Sequence, residues 1–220
     1  MKYNGLKELM GGAKKQLKPF YHKLQRLVKF YRRRGLNSKD FSIISNNCTG
    51  GYVYQYYGVA YNTPTEGLYF TTDDYLKIIK RPEYYFKHKV ELIDPKESVL
   101  AKAGRTIRHP VGKIDDVEIY FLHYPDPDEA LGKWYRRCSR INFKKMFFLL
   151  SETELLKDGH LQQFSSIIEN GNKGLCLTLT DYKIPHTLYV PNVPKDRGNA
   201  AWKPKIVLSS LDWKTVLNDL

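Results

Sequence analysis

Cysteine is scarce. Cys48, Cys138 and Cys176 are the only three in 220 residues, and they lie far apart. An odd, dispersed set makes neither a disulfide framework nor a zinc knuckle, and it suits a reducing cytosol. Long apolar runs are missing as well. Nothing approaches the roughly 18 uninterrupted apolar residues of a membrane-spanning helix. The N-terminus is basic but has no apolar run beside it, so it does not read as a secretory leader. No clustered His/Cys pattern is present, so no metal is expected. Internal repeats and linkers long enough to separate two independent domains are absent.

Acidic residues are nearly missing from one region. Residues 1–40 hold 12 Lys and Arg against only Glu8 and Asp40, a net charge of +10. The remainder carries 24 Lys and Arg against 21 Asp and Glu, so most of the overall +13 belongs to this leading arm. A nearly balanced body weakens a nucleic-acid reading of the whole chain. The division expected is a basic amphipathic arm over 1–40 and one α/β domain over 41–220. Within the arm, Phe20, Leu24, Leu27, Val28 and Tyr31 fall at offsets 0, 4, 7, 8 and 11, one face of a helix. Pro19 suits its first turn and Gly35 its end. Such a helix either docks its stripe on the body or lies on an anionic membrane surface.

What is present suffices for a core: 42% of residues are hydrophobic and 14% aromatic, which excludes wholesale disorder. Short apolar runs alternate with helical patterns. Strands are expected at Phe41–Ser45, Gly67–Thr72, Val117–His123, Met146–Glu152, Leu175–Thr180 and in "HTLYVP". Helices are expected at Thr49–Tyr57, from Asp73 or Asp74 to Lys80, after Asp126–Pro127, at His160–Glu169 and near the C-terminus. The pattern implies a three-layer α/β fold with a mainly parallel, doubly wound sheet and a basic N-terminal helical arm. Val117–His123 reads as a central strand.

In such sheets ligands gather at the C-terminal ends of the strands. There the chain places Asn46 and Asn47, His123 and Tyr124, Ser151 and Glu152, and Thr180 and Asp181. Any one of these can be an ordinary turn or cap. "SNNCTGG" can cradle an anion through Asn46, Asn47, Thr49 and Gly50, because its backbone tolerates left-handed turns ahead of a helix N-terminus. It can equally be a structural turn, or it can present Cys48 as a thiol activated by the helix. His123 has the right chemistry for general acid–base work. Lys133, Arg136, Arg137 and Arg140 form a basic stripe beside an apolar one carrying Ala130, Trp134, Cys138 and Ile141. The stripe is either a solvated helix face or a bidentate clamp for phosphate or carboxylate. Glu152 and Asp181 are further candidates for a base or a hydroxyl orienter.

The segments "FSIISNNCTGG", "YNTPTEGLYF", "HPVG…DVEIYFLHY" and "EALGKWYRRCSRIN" occur in the order seen in the bacterial family called domain of unknown function 1919, and the chain resembles that family over about Phe41 to Leu150. Thr49 stands where family members commonly carry a bulkier residue. The resemblance implies a place among capsule and exopolysaccharide biosynthesis proteins. It carries Asn46, Asn47, Cys48, His123, Tyr124, Trp134, Arg136, Arg137 and Arg140 over as motif positions without roles.

The leading expectation is a cytoplasmic transferase, peripheral at the inner membrane face, that acts on a sugar or a lipid-linked glycan. The loop and the Arg stripe would hold a nucleotide-sugar or acyl-coenzyme A donor, and His123 would deprotonate the acceptor; no resident cofactor is expected. One rival is a hydrolase or acyl-enzyme built on Cys48 and His123. The other is a non-catalytic glycan- or membrane-associated scaffold.

Overall fold

The structure, a computed structural model, describes residue 19, residues 21–196 and residues 199–220. Expectations for residues 1–18 and Phe20 lie outside the described residues. Residues 21–34 form helix α1. The main sheet contains β1 (Ser42–Ser45), β5 (Met146–Ser151), β6 (Gly174–Thr178) and β7 (Thr187–Tyr189), in that spatial order and all parallel.

Alternation along the strands sends side chains to two faces. Ile44, Phe148, Leu150 and Cys176 pack under α3 (Thr72–Lys80), α6 (Pro127–Cys138) and α7 (His160–Glu169). Ile43, Phe147, Leu149 and Leu177 face α2 (Thr49–Tyr57), α8 (Pro204–Ser210) and α9 (Trp213–Asn218). The fold is therefore the expected three-layer α/β arrangement with a mainly parallel sheet.

β1 is an edge strand, yet all four of its residues are buried. Its two outward N–H groups are met by side-chain hydroxyls. The Tyr54 hydroxyl accepts from Ile43 N at 2.9 Å and donates to Phe41 O at 3.1 Å. Ser45 N donates to Thr65 Oγ1 at 3.3 Å. A helix as rich in tyrosine as α2 thus forms because its rings pack on the sheet and one hydroxyl closes the sheet edge.

The strand expected at Val117–His123 takes a different place. Val117–Tyr120 (β4) is not a central strand of the parallel sheet. It pairs antiparallel with β3 (Val111–Ile114), which pairs in turn with β2 (Glu91–Ile93) in a separate sheet. This insertion also holds α4 (Pro82–Lys87), a 3-10 turn at Pro95–Glu97 and α5 (Val99–Lys102). The physical reason is local: β3 and β4 are joined by a two-residue turn at Asp115–Asp116, with Asp115 at φ 52°, and so tight a connection fits only an antiparallel hairpin. The strand expected at Gly67–Thr72 shrinks to a bridge in which Tyr69 and Tyr120 exchange backbone hydrogen bonds of 2.8 and 3.0 Å. The next residue, Phe70, donates its N–H to Asn46 O at 2.9 Å, so this short segment joins the two sheets. A final hairpin pairs β8 (Lys195–Asp196) with β9 (Asn199–Ala200).

Helix α3 is capped by Thr71, not by Asp73 or Asp74. The Thr71 hydroxyl accepts from Asp74 N at 3.1 Å and donates to Asp74 Oδ2 at 2.8 Å. Asp126 caps α6 as its sequence suggests, accepting from Asp128 N at 2.9 Å ahead of Pro127.

Two glycine substitutions should shift stability in opposite directions. A Cβ at Gly174 would lie 2.5 Å from Phe148 O, a backbone atom that cannot swing away. Gly174→Ala should cost about 1–3 kcal/mol in urea unfolding. Gly132 sits in α6 with open space around it, so Gly132→Ala should stabilise by up to about 1 kcal/mol. Burial raises the Asp74 carboxyl to about 6, Glu118 adds to the rise, and Thr71 and Lys77 oppose it. The folded state then holds this proton more tightly than the unfolded chain. The stability it supplies is complete in acid and is lost as pH rises through about 6. Asp74→Asn should match the parent in acid and be more stable at neutral pH, by on the order of 2 kcal/mol.

Candidate functional site

The "SNNCTGG" loop does not leave an anion cradle open. Thr49 N donates to Asn47 Oδ1 at 3.0 Å, Gly50 N to Ser45 Oγ at 3.2 Å, and Gly51 N to Cys48 O at 3.0 Å. The first-turn donors of α2 are thus taken by the chain itself. Asn46 is fully buried, and its amide pairs with both backbone groups of Ser151: Nδ2 donates to O at 3.0 Å and Oδ1 accepts from N at 2.9 Å. It extends the β1–β5 pairing by one side chain. The Thr49 hydroxyl lies 3.2 Å from that of Ser151.

Cys48 is not an activated nucleophile in this arrangement. Burial, followed by the nearby Glu66 charge, pushes its thiol up to about 11. Its Sγ rests 3.8 Å from Leu68 O. The position ahead of α2 does not lower the value, because desolvation of the thiolate outweighs the helix dipole there.

His123 follows β4 in a turn. Its N–H donates to Gly67 O at 3.0 Å, and its imidazole is exposed. The adjacent Tyr124 turns inward. Its hydroxyl donates to Glu66 O at 2.9 Å and accepts from Arg137 Nη1 at 2.7 Å, while the same guanidinium nitrogen donates to Glu66 O at 2.8 Å. Gly67, at φ +83°, is needed here for two reasons: the left-handed backbone, and the Tyr124 ring only 2.8 Å from where a Cβ would stand.

These contacts assemble a cluster that strand-end reasoning missed. Its centre is Glu66. The carboxylate lies against the first turn of α2, where a Cβ on Gly51 would fall 1.5 Å from Oε2. Oε2 is buried and has no hydrogen-bond partner. Burial raises the Glu66 carboxyl above the ordinary range, and Arg137 pulls it back. Tyr52 and Tyr61, both half-buried, are raised chiefly by burial and further by the Glu66 charge. The Arg137 guanidinium sits 5.2 Å from the Tyr61 ring centroid, and Lys133 Nζ 5.1 Å from that of Tyr124. Glu66 had one legible signal: it is the acidic residue inside "YNTPTEGLYF", directly before the apolar stretch.

The remaining candidates do other things. The basic stripe of α6 divides: Lys133 and Arg137 turn toward the cluster, and Arg136 and Arg140 are exposed. Trp134 is buried among Phe70, Phe86 and Phe121 and is a core ring, not a ligand contact. Glu152 pins the loop after β6, with Oε2 accepting from Leu179 N at 2.7 Å and Oε1 from the Tyr182 hydroxyl at 3.1 Å. Asp181 is exposed and pairs with Lys183 at 2.6 Å. His123, Glu152 and Asp181 therefore do not converge. His160 is a positioning group: its Nδ1 accepts from Lys157 N, so Nε2 carries the proton toward Asp73 Oδ1 at 3.0 Å. Among the described residues no three His, Cys, Asp or Glu side chains are grouped to hold a metal ion. No helix of the described residues is long and apolar enough to cross a membrane.

Gly51 and Glu66 should be coupled. Gly51→Ala alone should destabilise by about 1–3 kcal/mol through the displaced carboxylate. In a Glu66→Ala background the same change should become neutral or stabilising, because alanine suits a helix better than glycine. Urea unfolding of the four proteins measures the cycle.

A family model described as "Domain of unknown function (DUF1919)" matches residues 20–206. A protein of Haemophilus influenzae (strain ATCC 51907 / DSM 11121 / KW20 / Rd), described as "Uncharacterized protein", is 26% identical over 135 residues. That alignment covers 61% of this chain and 61% of the relative.

Proposed function

The chain belongs to the DUF1919 family, and from that membership and the geometry around Glu66 we propose a transferase that acts on a sugar or glycan intermediate in surface-polysaccharide assembly. The observation that carries the reading is the Glu66 carboxylate. One of its oxygens is buried without a partner, beside a guanidinium and half-buried tyrosine rings. A sugar offers hydroxyl donors and flat C–H faces. A carboxylate, an arginine and aromatic faces match both.

Glu66, and not the outward-facing His123, takes the role of base. Glu66 is only half-buried, and its other oxygen, Oε1, accepts the proton of an acceptor hydroxyl as the hydroxyl oxygen bonds to the transferred group and the bond from that group to its nucleotide or coenzyme A carrier breaks. A raised carboxyl pKa improves the match to neutral pH. Arg137 carries the positive charge that faces an anionic donor, and its hydrogen bonds to Tyr124 and Glu66 O fix its orientation. Glycosyl and acyl donors both suit this arrangement. The Cys48–His123 acyl-enzyme draws no support from a thiol pushed up to about 11.

A non-catalytic glycan-binding module is the second reading. It is favoured by the outward imidazole of His123 and the exposed Asp181–Lys183 pair, which leave Glu66 without a second carboxylate or an imidazole beside it. A thermal-shift screen of nucleotide sugars, acetyl-coenzyme A and oligosaccharides comes first. A ligand at 100 times its dissociation constant adds about 2.7 kcal/mol. With a substrate in hand, Glu66→Gln should keep the fold and the binding and lower turnover by about 10²- to 10⁴-fold. The parent's rate should rise as pH climbs through the raised Glu66 pKa, and Glu66→Gln should lack that limb. Full turnover in Glu66→Gln removes the proposal. Ligand binding with no turnover by the parent assigns the module instead.

A further inference from the structure

Helix α1 is mounted with its faces inverted. In an ordinary surface helix the apolar stripe packs on the body and the charges face water. Here Gln25, Lys29 and Arg33, spaced four apart, are the half-buried positions. Arg33 Nη1 donates to Gly58 O at 3.1 Å, and Arg32 Nη1 to Tyr56 O at 3.4 Å. The Arg32 guanidinium stacks 3.8 Å from the Tyr56 ring centroid. The Lys29 methylenes lie on Gly58. These cations meet the carbonyl end of α2, where a helix carries partial negative charge. The end of α1 is also clipped: Leu36 is buried, and Asn218 accepts from Asn37 N at 2.8 Å and donates to Gly35 O at 3.0 Å.

Because the polar side faces the body, the apolar side faces out. Tyr21 is 57% exposed, Leu24 49%, Leu27 48%, Val28 37% and Tyr31 68%. Among the described residues nothing covers this stripe. Lys23 and Arg34 border it near Leu27, and no acidic residue occurs between Glu8 and Asp40. From Tyr21 to Tyr31 the stripe runs about 15 Å at the helical rise.

We propose that α1 docks the protein on an anionic lipid surface, with Leu24, Leu27 and Val28 entering the headgroup boundary and the flanking Lys and Arg meeting lipid phosphates. Two features together select this occupant. Cations alone suit any polyanion, but an exposed row of aliphatic side chains gives nucleic acid little to bind. An apolar row alone suits a second protein, but a flank without acids selects an anionic one. A bilayer with acidic headgroups satisfies both demands. The proposal rests on α1 and does not depend on the role of Glu66.

The test uses the full chain and vesicle co-sedimentation. The protein should pellet with phosphatidylcholine–phosphatidylglycerol vesicles, remain free with phosphatidylcholine alone, and be released by salt. Lys23→Gln/Arg34→Gln should weaken partition by about 5-fold per charge. Leu24→Ser/Leu27→Ser should weaken it by about 10-fold or more while all charges remain. The four side chains are exposed, so circular dichroism should show the parent fold in both variants. Equal pelleting with neutral vesicles overturns the proposal. So does full anionic binding by the Leu24→Ser/Leu27→Ser protein, which would mark a purely electrostatic surface. Self-association abolished by the leucine changes, with no vesicle binding by the parent, would assign the stripe to a second copy of the chain.

Discussion

The open edge of β1 is the constraint on which the rest of the structure depends. An edge strand carries unpaired N–H and C=O groups, and burying them without partners costs about 1–3 kcal/mol each. This chain buries β1 completely and meets its two outward N–H groups with the Tyr54 hydroxyl and Thr65 Oγ1. Those two contacts dictate where α2 lies and where the 64–67 turn runs. Glu66 follows Thr65 directly, so closing the sheet edge delivers its carboxylate to the first turn of α2.

The residues after Glu66 then act as a seam. Gly67 O receives the His123 N–H, Tyr69 pairs with Tyr120, and Phe70 donates to Asn46. Through this seam the antiparallel insertion is registered against the parallel sheet. Tyr124 and Arg137, from two different elements, meet over the Glu66 carbonyl. The glycines of "CTGG" have a packing purpose in this frame. Gly50 admits Ser45 and Ile43, and Gly51 admits the Glu66 carboxylate. Their absent side chains make room for neighbours and leave no space in which a phosphate would lie.

Much of the fold was legible. The 49–57 and 160–169 helices have the bounds expected, and the Asp126–Pro127 start of α6 is used as its cap. The alternation of apolar strands with helical patterns correctly implied three layers. β4 was misplaced because periodicity measures burial, and Val117–Tyr120 is buried in either sheet. The informative signal was the two-residue turn before it, which permits only an antiparallel partner. The candidate site was legible in part. Cys48, Tyr124 and Arg137 do gather, but His123 faces outward while its neighbour turns in. Glu152 and Asp181 end strands or loops without joining them.

By itself the sequence determined the main secondary-structure periods, the Asp126 cap of α6, the layer architecture and the concentration of positive charge in residues 1–40. These follow from local spacing and composition, which act over a few residues. Only the tertiary structure decided that the α2 donors are already taken, that Cys48 is desolvated, that Glu66 holds an unpartnered oxygen, and that α1 turns its apolar side outward. Each of these is set by which groups from distant segments share a volume. Desolvation and hydrogen-bond satisfaction are properties of that shared volume, and residue spacing along the chain does not encode them.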